Sequence, residues 1–132
     1  MYKTESFKPD TFKPARFESD GKITLSGKEI PYHTICEDNV IYGPDGNPVA
    51  SIFTYAYFRS DVQDNSKRPI LFIYNGGPGC ASLWLHMGLF GPRIVKLDDE
   101  LNLPTVPPFE LEDNPHCLLD LCDLVFIDPV GT

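Results

Sequence analysis

The polar and apolar positions change rhythm near residue 68. From Lys22 the chain reads as β-structure: residues 22–25, a turn at Ser26-Gly27, then residues 29–35. A second turn signal, Pro44-Asp45-Gly46-Asn47, separates residues 39–42 from residues 49–58. Ser51-Ile52-Phe53-Thr54-Tyr55-Ala56-Tyr57-Phe58 is rich in the branched and aromatic residues that favour strands. Connections this short imply antiparallel pairing. Beyond a polar loop over 60–67, two unbroken apolar runs follow: Pro69-Ile70-Leu71-Phe72-Ile73-Tyr74 and Leu124-Val125-Phe126-Ile127. Runs of this length suit parallel strands buried on both faces. Between them, Leu83, Trp84, Met87 and Phe90 recur at spacings of three and four, which predicts a short helix within 80–90. Residues 101–115 hold four prolines and read as irregular loop. The expected fold is α/β: antiparallel lead-in strands, then strand, helix, long connection and strand.

Residues 1–20 are polar and read as a poorly ordered arm, so the folded part is expected over 21–132. The last apolar run stands close to residue 132, and an edge made of Leu-Val-Phe-Ile invites aggregation, so the sequence reads as cut from something longer.

Composition narrows the classes of function. With 42% hydrophobic and 23% charged residues, the chain is globular in character. A formal net charge of −8, from 11 basic and 19 acidic residues, argues against nucleic acid and against an anionic membrane surface. No apolar run reaches the roughly 20 residues that span a bilayer. The first 20 residues carry no apolar leader segment, which points to the cytoplasm. Cys36, Cys80, Cys117 and Cys122 are too scattered for a zinc cluster and too few for a disulfide scaffold. Most are expected to be small buried hydrophobes.

The stretch Asn75-Gly76-Gly77-Pro78-Gly79 carries the chemistry, because it follows a strand and precedes a helix. Ligands of open α/β sheets bind at the carboxyl ends of strands. Glycines let a ligand approach the backbone, and successive N–H groups can face a negative oxygen. Three readings stand beside one another. The first is a plain glycine–proline turn. The second is a phosphate loop: the Walker pattern is not met, and a dinucleotide fingerprint at Gly77 and Gly79 lacks its third glycine, although Asp98 falls near the place of a ribose-binding acid. The third is an oxyanion hole, in which backbone donors stabilise charge during acyl transfer.

The segment Arg68-Pro-Ile-Leu-Phe-Ile-Tyr-Asn-Gly-Gly-Pro-Gly-Cys-Ala-Ser82 resembles the first signature of the serine carboxypeptidase family, a strand followed by NGGPGCSS or NGGPGSSS. Trp84-Leu-His-Met-Gly-Leu-Phe-Gly-Pro-Arg93 resembles the continuation in bacterial members. Residues 113–132, ending Ile127-Asp-Pro-Val-Gly-Thr132, resemble the next block, DxPVGTGYS or GFS. The resemblance runs from about Lys22 to Thr132 and is most specific over 68–92 and from 114 onwards.

It implies the N-terminal portion of an α/β-hydrolase domain and a serine-type peptidase acting at the C-termini of peptides, with no metal or organic cofactor. The backbone N–H of Gly77 would form half of the oxyanion hole, and Asn75 and Gly76 would hold the substrate's terminal carboxylate. Eukaryotic members place a glutamate at the position of Leu89, which puts strict C-terminal specificity in question. Cys80 matches a cysteine that pairs with a distant partner in secreted members. The family's nucleophile lies in a GESYAG-like elbow, and no Gly-x-Ser-x-Gly occurs in these 132 residues. Ser82 belongs to the loop–helix junction, and His33, His86 and His116 do not match the catalytic histidine. The isolated chain is therefore expected to be inactive, with a non-catalytic peptide- or partner-binding module as the alternative and a dinucleotide-binding fragment as a weaker one.

Overall fold

A computed structural model describes residues 12–77, 79–97 and 106–132. Asp98, part of the dinucleotide reading, and Pro78 lie outside the described residues, as does most of the expected arm.

The lead-in strands are long. β1 (Arg16–Leu25) and β2 (Lys28–Tyr42) form a hairpin across Ser26-Gly27, both at positive φ (50° and 76°), the geometry a two-residue turn needs to match strand twist. β1 thus begins inside the segment expected to be an arm. β2 continues without a break where the sequence suggested two shorter strands. Its polar middle stays extended because its neighbours supply donors: Asp38 accepts from the Ala15 N–H at 2.9 Å and from Ser51 Oγ at 2.7 Å. β3 (Pro48–Arg59) follows the predicted turn, where the Gly43 N–H donates to the Asn47 carbonyl at 2.8 Å.

β4 (Ile70–Tyr74) leads into the glycine loop, a single helical turn, α1 (Leu83–Leu85), and a wider π-type turn (His86–Phe90). The helix expected over 80–90 is shorter and wound differently. A small antiparallel pair, β5 (Arg93–Val95) and β6 (Leu111–Asp113), precedes β7 (Asp123–Asp128). The main sheet has the order β1-β2-β3-β7-β4, antiparallel throughout except for the parallel β7–β4 pair.

This order corrects one expectation: β7 is not a bare edge but sits between β3 and β4, and β4 is the edge. It also corrects the burial of β4. Ile73 is buried, whereas Ile70, Phe72 and Tyr74, which share the opposite face, are exposed. Among the described residues the hydrophobic core lies on one face of the sheet. There Ile23, Ile30, Tyr32, Leu124 and Phe126 pack with Cys117 and Leu119 into one core. Of the four cysteines, all free thiols, only Cys117 is buried.

A buried ion pair ties the sheet together. Asp123 Oδ1 accepts from the Arg59 N–H and from Arg68 Nε, each at 3.0 Å, and Arg68 Nη2 donates to the Leu119 carbonyl. Among the described residues no helix is long and apolar enough to cross a membrane.

Candidate functional site

Because β4 and β7 run parallel, their carboxyl ends emerge side by side: Tyr74 pairs with Ile127, so Asn75-Gly76-Gly77 and Asp128-Pro129 leave the sheet together. Two contacts lock the far end of the glycine loop to this rim. The Ser82 N–H donates to Asp128 Oδ1 at 2.7 Å, and the Ser82 hydroxyl donates to the Ile127 carbonyl. Ser82 is fully buried, and its hydroxyl is spent on the backbone.

Between these anchors the backbone is held open. Gly77 and Gly79 have φ of 84° and 78°, a left-handed conformation that costs any residue with a Cβ about 1–2 kcal/mol. Space is not the reason for glycine here: a Cβ at Gly76, Gly77 or Gly79 would meet nothing within 4 Å. Among the described residues, the Gly76 and Gly77 N–H groups have no acceptor. The loop therefore presents donors to open solvent beside the strand end, an arrangement suited to an anionic oxygen.

The sequence-predicted residues Asn75, Gly76 and Gly77 are thus consecutive at the mouth of the parallel pair. Asn75 is half-buried, and its side-chain amide turns back into the loop, donating to Cys80 Sγ at 2.9 Å. Leu89 is exposed, and its backbone carbonyl accepts from Asn114 Nδ2 at 2.8 Å. His33 lies on β2, bonded to Asp20 and Glu18, which hold its pKa above the ordinary histidine value, Asp20 foremost.

Beneath the rim sits a group of aromatic rings that sequence reasoning did not join. His86 stacks on Phe126 with ring centroids 4.4 Å apart and bonds the Tyr57 hydroxyl through Nε2 at 2.6 Å. Tyr55 approaches the same ring at 4.8 Å. Burial drives the His86 pKa down to about 4, against a smaller opposing pull from the Asp128 charge. The imidazole is therefore neutral at pH 7. Burial likewise pushes the Tyr57 hydroxyl far above the usual tyrosine range. His86 is thus a packing residue, and its partners on β3 and β7 are contributed from 29 and 40 residues away, which no local pattern reveals.

Next to the loop a half-open cleft of about 370 Å³ is lined by Asp38, Ser51, Phe53, Tyr55, Asp128 and Gly131. Its two carboxylates already accept from groups of the protein. Among the described residues, no three His, Cys, Asp or Glu side chains gather so as to hold a metal ion. The segment after the loop is a three-residue helical turn, too short to offer the long helix N-terminus on which a dinucleotide pyrophosphate rests.

No family model matches the chain. Pheromone-processing carboxypeptidase KEX1 of Komagataella phaffii is 31% identical over 77 residues, which cover 58% of this chain and 11% of that protein. Serine carboxypeptidase-like 36 of Arabidopsis thaliana is 31% identical over 87 residues, 65% of this chain and 16% of that protein. A solved structure, the prohormone-processing carboxypeptidase Kex1(delta)p of Saccharomyces cerevisiae, superposes with a TM-score of 0.54 at 25% identity, covering 75% of this chain and 20% of that one. The chain thus spans 11% and 16% of the length of these two curated relatives. All three are yeast or plant proteins, whereas the pattern over 84–93 pointed to bacterial ones. In sequence and in fold, over part of their length, the chain is similar to serine carboxypeptidases.

Proposed function

We propose that this chain is the portion of a serine-type carboxypeptidase that supplies one oxyanion donor and part of the pocket for the substrate's terminal carboxylate. One observation carries the reading: Asn75-Gly76-Gly77 stands at the carboxyl end of a parallel strand pair, with Gly77 exposed, left-handed and its N–H without an acceptor among the described residues. In acyl transfer the carbonyl oxygen of the scissile bond gains negative charge. A fixed N–H at Gly77 would stabilise that charge without reorganising in the reaction. The neighbouring Gly76 N–H and the Asn75 amide are donors of the kind a carboxylate accepts. A serine outside these 132 residues would attack the carbonyl, with a histidine moving its proton.

Ser82 does not serve as that serine. It is buried, its hydroxyl donates to the Ile127 carbonyl, and among the described residues no histidine bonds it. His86, neutral and enclosed by aromatic rings, is a packing residue in this reading. The 132-residue chain by itself is inactive. Leu89, where a carboxylate-recognising glutamate would stand, predicts a looser preference for free C-termini.

The test is the release of C-terminal residues from N-blocked dipeptides. The purified 132-residue chain should give no turnover. The native product captured from its source cells with an antibody to this chain should give turnover that Gly77→Pro, introduced into that product, abolishes. Turnover by the short chain, or a native product whose hydrolysis is indifferent to Gly77→Pro, would overturn the proposal.

A further inference from the structure

The glycine loop has one polar side chain with which to meet a ligand, that of Asn75. Its neighbours Gly76, Gly77 and Gly79 offer no side chain to steady it. What touches it is Cys80: Asn75 Nδ2 donates to the sulfur at 2.9 Å, while its contact with the Gly76 carbonyl is a weak 3.5 Å. The thiol in turn faces the Ala81 carbonyl at 3.6 Å, so its hydrogen has an acceptor and its lone pairs are left for the amide. The chain of contacts ends on rigid ground, because the next residue but one, Ser82, is bound to β7 through Asp128 and Ile127. Cys80 is half-buried, which keeps water from competing fully for the contact.

We propose that the Cys80 thiol is a positioning residue: it accepts one Asn75 amide hydrogen, holds the side chain in a single orientation, and leaves the second hydrogen for a ligand carboxylate. The inference rests on the reading of Asn75 as a carboxylate donor. Holding one donor in place removes the rotamer freedom that ligand binding would otherwise have to freeze.

The test uses the 15N-labelled 132-residue chain and two probes, an N-acetyl dipeptide as free acid and as C-terminal amide. In wild type one Asn75 side-chain proton should exchange slowly with solvent. Cys80→Ala should shift the Asn75 side-chain resonances and reduce the preference for acid over amide about fivefold, the scale of one modest hydrogen bond. Cys80→Ser, whose hydroxyl also accepts, should restore both. A merely structural role would change the melting temperature and leave the acid-to-amide ratio alone. Unchanged resonances and ratio in Cys80→Ala, or failure of Cys80→Ser to restore them, would overturn the proposal. If Cys80→Ala does not fold, exchange in wild type decides: a free-amide rate at both Asn75 protons refutes the contact. If wild type shows no preference for the acid, the carboxylate reading of Asn75 fails, while the resonances still judge the contact with Cys80.

Discussion

Lowering the pH from 7.5 to 5 should weaken the fold through His86. The residue is 7% exposed, its ring is stacked on Phe126 and bonded to Tyr57, and its pKa in the fold is about 4 against an ordinary 6.5. The unfolded chain therefore takes up a proton at a pH where the folded chain resists it. Stability from this group is complete above pH 6.5 and is lost as pH falls from there towards 4. At pH 5 the loss is about 2 kcal/mol, and across the whole window about 3 kcal/mol, since each tenfold difference in proton affinity between the folded and unfolded chain is worth about 1.4 kcal/mol. His33 titrates in the opposite sense, because its pKa is raised, so the contribution of His86 is best read by difference. Urea unfolding of wild type and His86→Phe at pH 7.5 and pH 5 isolates it, as His33 is common to both. Wild type should lose about 2 kcal/mol more than the variant between the two pH values. Equal losses, or an NMR titration of His86 with a midpoint near 6.5, would refute the reasoning.

Asp123→Ala removes the partner of Arg68, whose side chain is only 11% exposed, and should cost about 3–5 kcal/mol of stability by chemical unfolding; a loss under about 1 kcal/mol would contradict a structural ion pair. Gly91→Ala would place a Cβ 2.3 Å from the His86 backbone carbonyl, an atom that cannot swing aside, and should cost about 1–3 kcal/mol. At Gly88, earlier in the same turn, a Cβ meets nothing within 4 Å, and Gly88→Ala should stay within about 0.5 kcal/mol of wild type in the same melts.

Much of the strand layout was legible in the sequence. The Ser26-Gly27 and Pro44–Asn47 turns announce themselves by residue type, and the two apolar runs become the parallel pair β4–β7. Their layering was not legible. An unbroken apolar run states that a strand is buried somewhere, not that both faces are covered, and Ile70, Phe72 and Tyr74 remain exposed because they point away from the face that carries the core. Around the helix the pattern misled more. Leu83 and Trp84 suggested an inward face, yet both are exposed, while the polar Ser82 and His86 are buried. Those two go inside because distant strands supply their partners: Asp128 and the Ile127 carbonyl for Ser82, Tyr57 and Phe126 for His86. The glycine loop was legible, since its composition and its place after a strand need no tertiary information. The Asn75–Cys80 contact was not, because the intervening backbone conformation decides whether the two side chains meet.

In the proposed function Asn75 and Gly76 offer donors to a carboxylate, beside the Gly77 N–H, at the mouth of the parallel pair. Titration of the 15N-labelled chain with an N-acetyl dipeptide, as free acid and then as amide, addresses it directly. The Gly76 and Gly77 amide signals and the Asn75 side-chain signals should move with the acid, move far less with the amide, and stay still in Gly77→Pro for every residue of the loop that remains visible. Shifts of equal size for acid and amide, or shifts confined to residues away from the loop, would contradict it.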